Sequence, residues 1–552
     1  MDTQRALLAV VLSFIILLGY QYLFVGPPEV PPEVPVVERA VTEAGPEESN
    51  GRSPVPVPVP ALAAEETLPL ATGREIPVET PLFSAVFTET GGGVRSFRLK
   101  EYRESIQPDS GPKELIKTER PRELPLFFSW GVEPDRAEIP VFTADVDGLR
   151  LTAPGGAASM RMTANLASGL VITRTMTMEA DSYLYRLRIE VNNPTDTPLQ
   201  GAPYLSLTNS PFGDSESPAS GFLFSGPAVF ANGSLQEFKP ADLQKSGQKV
   251  EGAIQWAAYE GNYFICAVLP GESDTAAVLM AAEGDRVTTL LTDETRVIPA
   301  RSSRQYEYTV FFGPKKISLL KEIGSNLDQA VNFGWFDVVA KPTHSLLNFL
   351  YRFIGNYGLA IILVTTIIKM LFWPISHKGM KSMKNMQALK PKIDKIREKY
   401  KDDATKLNQE MMNLYKTYKV NPLGGCLPMV LQIPVFFALY KVLLQAIELR
   451  HAPFMLWIND LSAPDRLSIG VDIPYLGGIP VLTLLMGASM FFQQKLTPTA
   501  ADPTQAKIML FLPVIFTVMF VNFASGLVLY WLVNNLLSIG QQYMINRSVT
   551  VA

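Results

Sequence analysis

Five apolar runs fill most of the last third of the chain, at residues 357–373, 424–446, 479–496, 508–523 and 525–545. In hydrocarbon nothing bonds an open N–H or C=O, so a spanning segment of this kind must be a helix that satisfies its own backbone. About 20 residues at 1.5 Å each cross a core ~30 Å thick. The runs predict an α-helical membrane core of five spans, the last two paired tightly across Ala524. Near the start, Ala6 to Val25 is apolar, follows Arg5, and ends in Tyr20, Tyr22, Leu23 and Phe24 with no small-x-small cleavage site. That predicts an uncleaved N-terminal transmembrane anchor over residues 1–25 rather than a removed signal peptide.

Charge orients these runs. Residues 377–420 carry Lys378, Lys381, Lys384, Lys390, Lys392, Lys395 and further basic residues, whereas 448–478 carry only Arg450 and Arg466. Lys and Arg accumulate on the cytosolic side. The first loop is therefore expected in the cytosol and the second outside. With the anchor this gives six spans, both termini cytosolic, and the long middle region outside.

That middle region changes texture twice. Residues 26–75 are rich in Pro, Glu, Val and Ala, and Pro54 to Pro60 alternates Pro with Val. Such a stretch prefers extended polyproline II and acts as a tether. Residues 76–328 read as β. Leu82 to Phe87, Tyr183 to Ile189 and Tyr306 to Phe312 alternate in short runs, and Gly91-Gly92-Gly93 marks a turn. Many strands over this length predict one large β-sandwich, closed by a short helix near 317–327. Residues 335–352 mix Trp335, Phe336 and Tyr351 with Lys341, His344 and Arg352. This predicts an amphipathic helix lying in the outer interface, and it opens the core region 329–552.

Several function classes are excluded. Net charge is −4, so no overall basic surface points to nucleic acid. The two cysteines, Cys266 and Cys426, fall in different compartments and form no bridge; no CxxC or Cys/His cluster offers a metal site, and no cofactor is expected. GxxxxGK, HExxH and GxSxG are absent. Ser376 and His377 are adjacent in sequence and face different ways. The chain does not read as an enzyme.

The informative residue is Lys369, inside the apolar run from Ile361 to Trp373. A charge there costs at least ~2.5–3.5 kcal/mol on insertion scales, so it needs a wet or paired environment. It either snorkels to the cytosolic interface, one turn from Pro374, or faces a water-filled cavity. The other spans carry Gln432, Lys441, Thr517, Asn522, Asn534, Asn535, Gln541 and Gln542, and no acidic residue lies deep in any of them. A cation without a resident partner suits a site whose counter-ion arrives on a substrate. Asn534 and Asn535 read as helix–helix glue.

The basic loop reads as a helical hairpin, 381–400 and 404–418, broken near Lys401 to Asp403. Leu389, Ile393, Ile396 and Tyr400 share one face, as do Leu407, Met411, Leu414, Tyr415 and Tyr418. Met380, Met383, Met386, Met411 and Met412 add soft apolar surface usable for varied clients. Lys381 and Lys384 belong to a basic face that would equally suit anionic lipid.

Taken together these segments resemble the YidC membrane protein insertases of Gram-negative bacteria. The resemblance is carried by Lys419-Val420-Asn421-Pro422-Leu423-Gly424-Gly425-Cys426-Leu427-Pro428, Gln432-Ile433-Pro434-Val435-Phe436, Gly355-Asn356-Tyr357-Gly358, Gln409-Glu410-Met411-Met412, Leu461-Ser462-Ala463, Pro513 to Thr517 and Ser525 to Trp531. It implies a multi-domain membrane protein: an N-terminal anchor, an all-β periplasmic supersandwich that contacts Sec partners, and a five-span helical core. It implies insertion and folding of nascent inner-membrane proteins, alone or with the Sec translocon and without ATP, through a hydrophilic groove closed to the outside. The family's groove charge is usually Arg; here it is Lys369, which keeps the charge and loses the bidentate fork. Thr365 matches a client-contact position, and Tyr530 and Trp531 match an aromatic pair. The chain ends soon after Arg547, so docking of a ribosome or targeting factor would fall to the hairpin. A small-solute channel or transporter would also explain polar residues in spans, but five core spans do not divide into an inverted repeat.

Overall fold

The computed structural model describes residues 73–548, apart from 108, 119, 135–137, 214–222, 272–274, 402, 419, 421–426, 471–472, 474–475 and 497–502. The expected anchor at 1–25, the tether up to residue 72, and the stretch with Cys426 lie outside the described residues.

Among the described residues the strands form three sheets. The largest has nine strands, with Ser302–Pro314 near its centre between Phe264–Pro270 and Leu184–Asn193. Alternation sets its faces. Tyr185, Leu187, Ile189 and Val191 are buried, as are Tyr306, Tyr308, Val310 and Phe312, while Arg186 and Arg188 face solvent. The antiparallel register pairs Tyr185 with Val310, Leu187 with Tyr308 and Ile189 with Tyr306, so the two inward rows lie on one face. The five- and six-stranded sheets both cover that face. Phe87 and Phe97 of the smaller pack edge-on to Tyr185 and Phe312, and Phe128 of the other tilts against Tyr306. The β-sandwich expected from alternation is therefore present, as one broad sheet covered by two narrower ones. Cys266 is a buried free thiol in it.

The predicted closing helix is Ile317–Ile323 (α1), followed by a 3-10 turn at Leu327–Ala330. The amphipathic helix is Asp337–Ile354 (α2). Gly355 then adopts φ 69°, the left-handed conformation that ends a helix without a Cβ clash, and its N–H bonds the Tyr351 carbonyl. Asn356 starts the next helix by accepting from Leu359 N–H at 3.1 Å. The Gly355-Asn356 pair is thus a stop followed directly by a start.

Helices stand where four apolar runs begin or lie: Tyr357–Leu371 (α3), Leu427–Gln445 (α7), Val481–Leu496 (α8) and Pro503–Phe520 (α9); the fifth run is Ser525–Ser548 (α10). The first run does not stop at Pro374. A second helix, Trp373–Ala388 (α4), starts at a 64° bend with Pro374 in its first turn, where a missing N–H costs nothing. Among the described residues no single helix is both long and apolar enough to cross a membrane alone, and the bent pair α3–α4 passes only as a unit.

The loop hairpin differs from expectation in one arm. Residues 381–400 are not one helix: α4 ends at Ala388, and Lys390–Lys399 (α5) restarts with Pro391 in its first turn. The return arm is Ala404–Thr417 (α6), capped by Asp403, which accepts from Lys406 N–H at 3.0 Å. Leu389, Ile393 and Val420 are buried between the arms, with Met386, Met411, Leu414 and Tyr415 packed against them.

Candidate functional site

Lys369 lies in the last turn of α3. Its ammonium donates to Ser538 Oγ at 2.7 Å and to Asn534 Oδ1 at 3.3 Å, both on α10 and one turn apart. Ser538 donates its own proton back to the Asn534 carbonyl at 2.7 Å, which leaves its lone pairs for the ammonium. From α7, Gln432 Nε2 donates to the same Asn534 Oδ1 at 2.8 Å. Three helices therefore meet at one amide oxygen. Both acceptors of Lys369 are neutral, and among the described residues it joins no ion pair.

Thr365, Lys369, Ser376, Gln432, Tyr530 and Asn534 line a cavity of about 30 Å³. One water needs roughly 10–15 Å³, so this space admits about two waters and no peptide. On its α4 side, Ser376 donates to Gln541 at 3.0 Å, and Gln541 donates to the Trp373 carbonyl at 3.4 Å. Asn534, Ser538 and Gln541 thus make a polar stripe along α10 from the cavity past the start of α4.

Four of the seven residues expected in the groove meet here: Lys369, Thr365, Gln432 and Tyr530. Three do not. Trp531 packs edge-on to Phe436 at 4.7 Å and against Phe520 at 5.1 Å, an aromatic knot of α7, α9 and α10. Asn522 lies beyond the end of α9, where its Oδ1 accepts from Arg466 at 2.7 Å; Arg466 also donates to the Val521 carbonyl at 2.8 Å. Thr517 donates to the Pro513 carbonyl at 2.7 Å within its own helix, and its side chain presses on Gly487 of α8. A Cβ at Gly487 would clash with Thr517 Oγ1. We expect Gly487→Val to cost ~1–3 kcal/mol by overpacking, read as a lowered thermal midpoint in detergent, and Thr517→Ala to restore part of it.

Asn534 fits the helix-glue expectation, joining α3 and α7 to α10, and it also lines the cavity. Asn535 fits the expectation too: one residue on, it donates to Ser489 of α8 at 2.9 Å. Ser538 was not singled out from sequence; the spacing of Asn534, Ser538 and Gln541 at i, i+4 and i+7 was the available signal.

The hairpin residues also divide. Met386 and Met411 belong to its internal core, leaving Met412 exposed and Met383 half-buried. Lys381 is exposed. Lys384 instead donates to the Ile545 and Asn546 carbonyls at 3.4 and 3.0 Å, capping the end of α10 where a cation is favoured.

Comparison with known proteins is consistent along the whole chain. The family described as YidC periplasmic domain matches residues 75–346, and 60Kd inner membrane protein matches residues 349–551. A protein named membrane protein insertase YidC from Syntrophobacter fumaroxidans is 41% identical over 99% of both chains. Its namesake from Syntrophus aciditrophicus is 41% identical over 99% of both. That of Nitratidesulfovibrio vulgaris is 42% identical over 99% of this chain and 100% of its own.

Proposed function

The chain belongs to the YidC membrane protein insertase family, and from that premise we propose that the cavity around Lys369 is the closed form of a groove that receives polar segments of nascent membrane proteins. The activity is membrane protein insertion in the inner membrane, with a periplasmic β domain, and it is not enzymatic. The observation that carries the reading of the site is Lys369 itself, a cation at the meeting of α3, α7 and α10 whose resident partners are both neutral. A client carboxylate supplies the missing counter-charge and turns a contact between an ammonium and neutral oxygens into an ion pair.

The five runs act as spans and the hairpin faces the cytosol. Leu359, Leu363, Ile367, Met370 and Leu371 on α3, and Phe511, Val514 and Val518 on α9, are exposed apolar side chains that suit lipid. With the anchor, both termini are cytosolic. A client's short polar segment enters the wet groove from the cytosol, Lys369 attracts its acidic residues, and its apolar helix then partitions sideways into lipid. Burial of that helix drives the step. The membrane potential assists an acidic tail by ~2.3 kcal/mol per charge per 100 mV. Sec translocon components contact the β domain, and ribosomes, targeting factors and anionic lipid meet the basic hairpin. The test is purified protein in proteoliposomes with a Sec-independent client. Protease protection of the client is the expected result; protection equal to that in empty liposomes overturns the proposal.

A further inference from the structure

Asn534 Oδ1 does the work of a carboxylate oxygen. It is a planar acceptor reached by Gln432 Nε2 from α7 at 2.8 Å and by Lys369 Nζ from α3 at 3.3 Å. Both donors are what an incoming Asp or Glu would need, and both already converge on one point. An amide has the shape of a carboxylate without its charge, so it holds these donors more weakly than an ionised group would. The space is too small for a client and Asn534 together, since the cavity holds about 30 Å³. Ser538, at 2.7 Å, keeps the ammonium in place while one acceptor is exchanged for another.

We infer that Asn534 is a resident, neutral stand-in for the client carboxylate: it ties α3 and α7 to α10 while the groove is empty, and an acidic client displaces it by taking Lys369 and Gln432 together. This rests on the reading of Lys369 as the client's counter-charge. It adds a residue that sets the threshold for acidic clients, a second donor in Gln432, and a link between client charge and groove opening. Once both donors turn to the client, the bonds of Asn534 to α3 and α7 are gone, while Ser538 still holds Lys369 and Gln541 still holds α10 to α4.

The test replaces the stand-in with a charged one. Asn534→Asp gives Lys369 a permanent partner of the same shape. Full-length variants in proteoliposomes are assayed with one client carrying either an acidic or a neutral tail. We expect Asn534→Asp to lower acidic-tail insertion at least about tenfold, in the same direction as Lys369→Ala, because a charged acceptor is not readily displaced, and to leave neutral-tail insertion within about twofold and the thermal midpoint no lower than that of the unaltered protein. Asn534→Leu keeps the bulk and removes the oxygen; it should insert acidic tails at least as well as the unaltered protein. If Asn534→Asp leaves the acidic-to-neutral ratio unchanged while Lys369→Ala lowers it, this inference falls and the reading of Lys369 stands. If Lys369→Ala leaves the ratio unchanged, both fall.

Discussion

Lys369→Ala lowers insertion of an acidic-tailed client by roughly ten- to a hundredfold and that of its neutral-tailed twin by less than about twofold. The size follows from what is removed. A hydrogen bond to a charged group contributes about 1.5–3 kcal/mol net, and each 1.4 kcal/mol is a factor of ten. The selectivity follows from the site. Among the described residues Lys369 bonds only Ser538 and Asn534, so removing it frees neutral groups and uncovers no buried acid there. Folding should therefore survive the change. Lys369→Arg should keep most of the activity toward acidic tails, since attraction by a point charge needs no fork. Lys369→Glu should reverse the preference and impair acidic tails more than Ala does. Protease protection in proteoliposomes reads all three. Equal loss on both clients would mean that Lys369 holds the helices together; no loss on either would mean that clients pass it by.

Local periodicity carried most of the architecture. The alternation at Tyr183 to Ile189 became a strand with Tyr185, Leu187 and Ile189 inward, and each of the five C-terminal apolar runs holds a helix. Those signals need only neighbours in sequence. The site needed more, because which polar side chains meet depends on helix rotation. Asn534 and Asn535 differ by about 100° around α10, and that separates the cavity from the α8 contact. Asn522 failed for another reason: hydropathy runs on past the helix end at Phe520, where Arg466 claims the exposed carbonyl and amide. Thr517 and Thr365 both donate to the carbonyl four residues back, so a hydroxyl in a span is satisfied at home and does not by itself mark a groove. In the hairpin, Pro391 was the sign of a broken arm. The charge at Lys369 was legible because its cost in lipid is large and local.

Trp256→Ala separates the two halves of the molecule. Trp256 is fully buried in the nine-stranded sheet, stacks on Phe230 with ring centres 5.9 Å apart, and donates to the Asn326 carbonyl at 3.4 Å. Truncating a buried Trp costs about 3–5 kcal/mol. For a domain of this size that lowers the unfolding midpoint by roughly 6–20 °C, taking 2–4 °C per kcal/mol. Trp256→Phe, which keeps a ring against Phe230, should lose less. A point change is a cleaner probe than deleting residues 76–305, which would leave Tyr306 to Pro314 without the strands they pair with at the centre of the sheet. Among the described residues the β domain touches the core through Asn262, which donates to the Leu444 carbonyl, and through Arg450, which donates to that of Glu104, each at 3.2 Å, and lies over the Phe264 ring. None involves α3, α10 or Lys369. With Trp256→Ala, the midpoint in detergent should fall while insertion of a Sec-independent client at a lower temperature stays within about twofold. If insertion falls in step with β-domain unfolding for acidic and neutral tails alike, the groove does not act alone, and the outer domain holds part of the machinery.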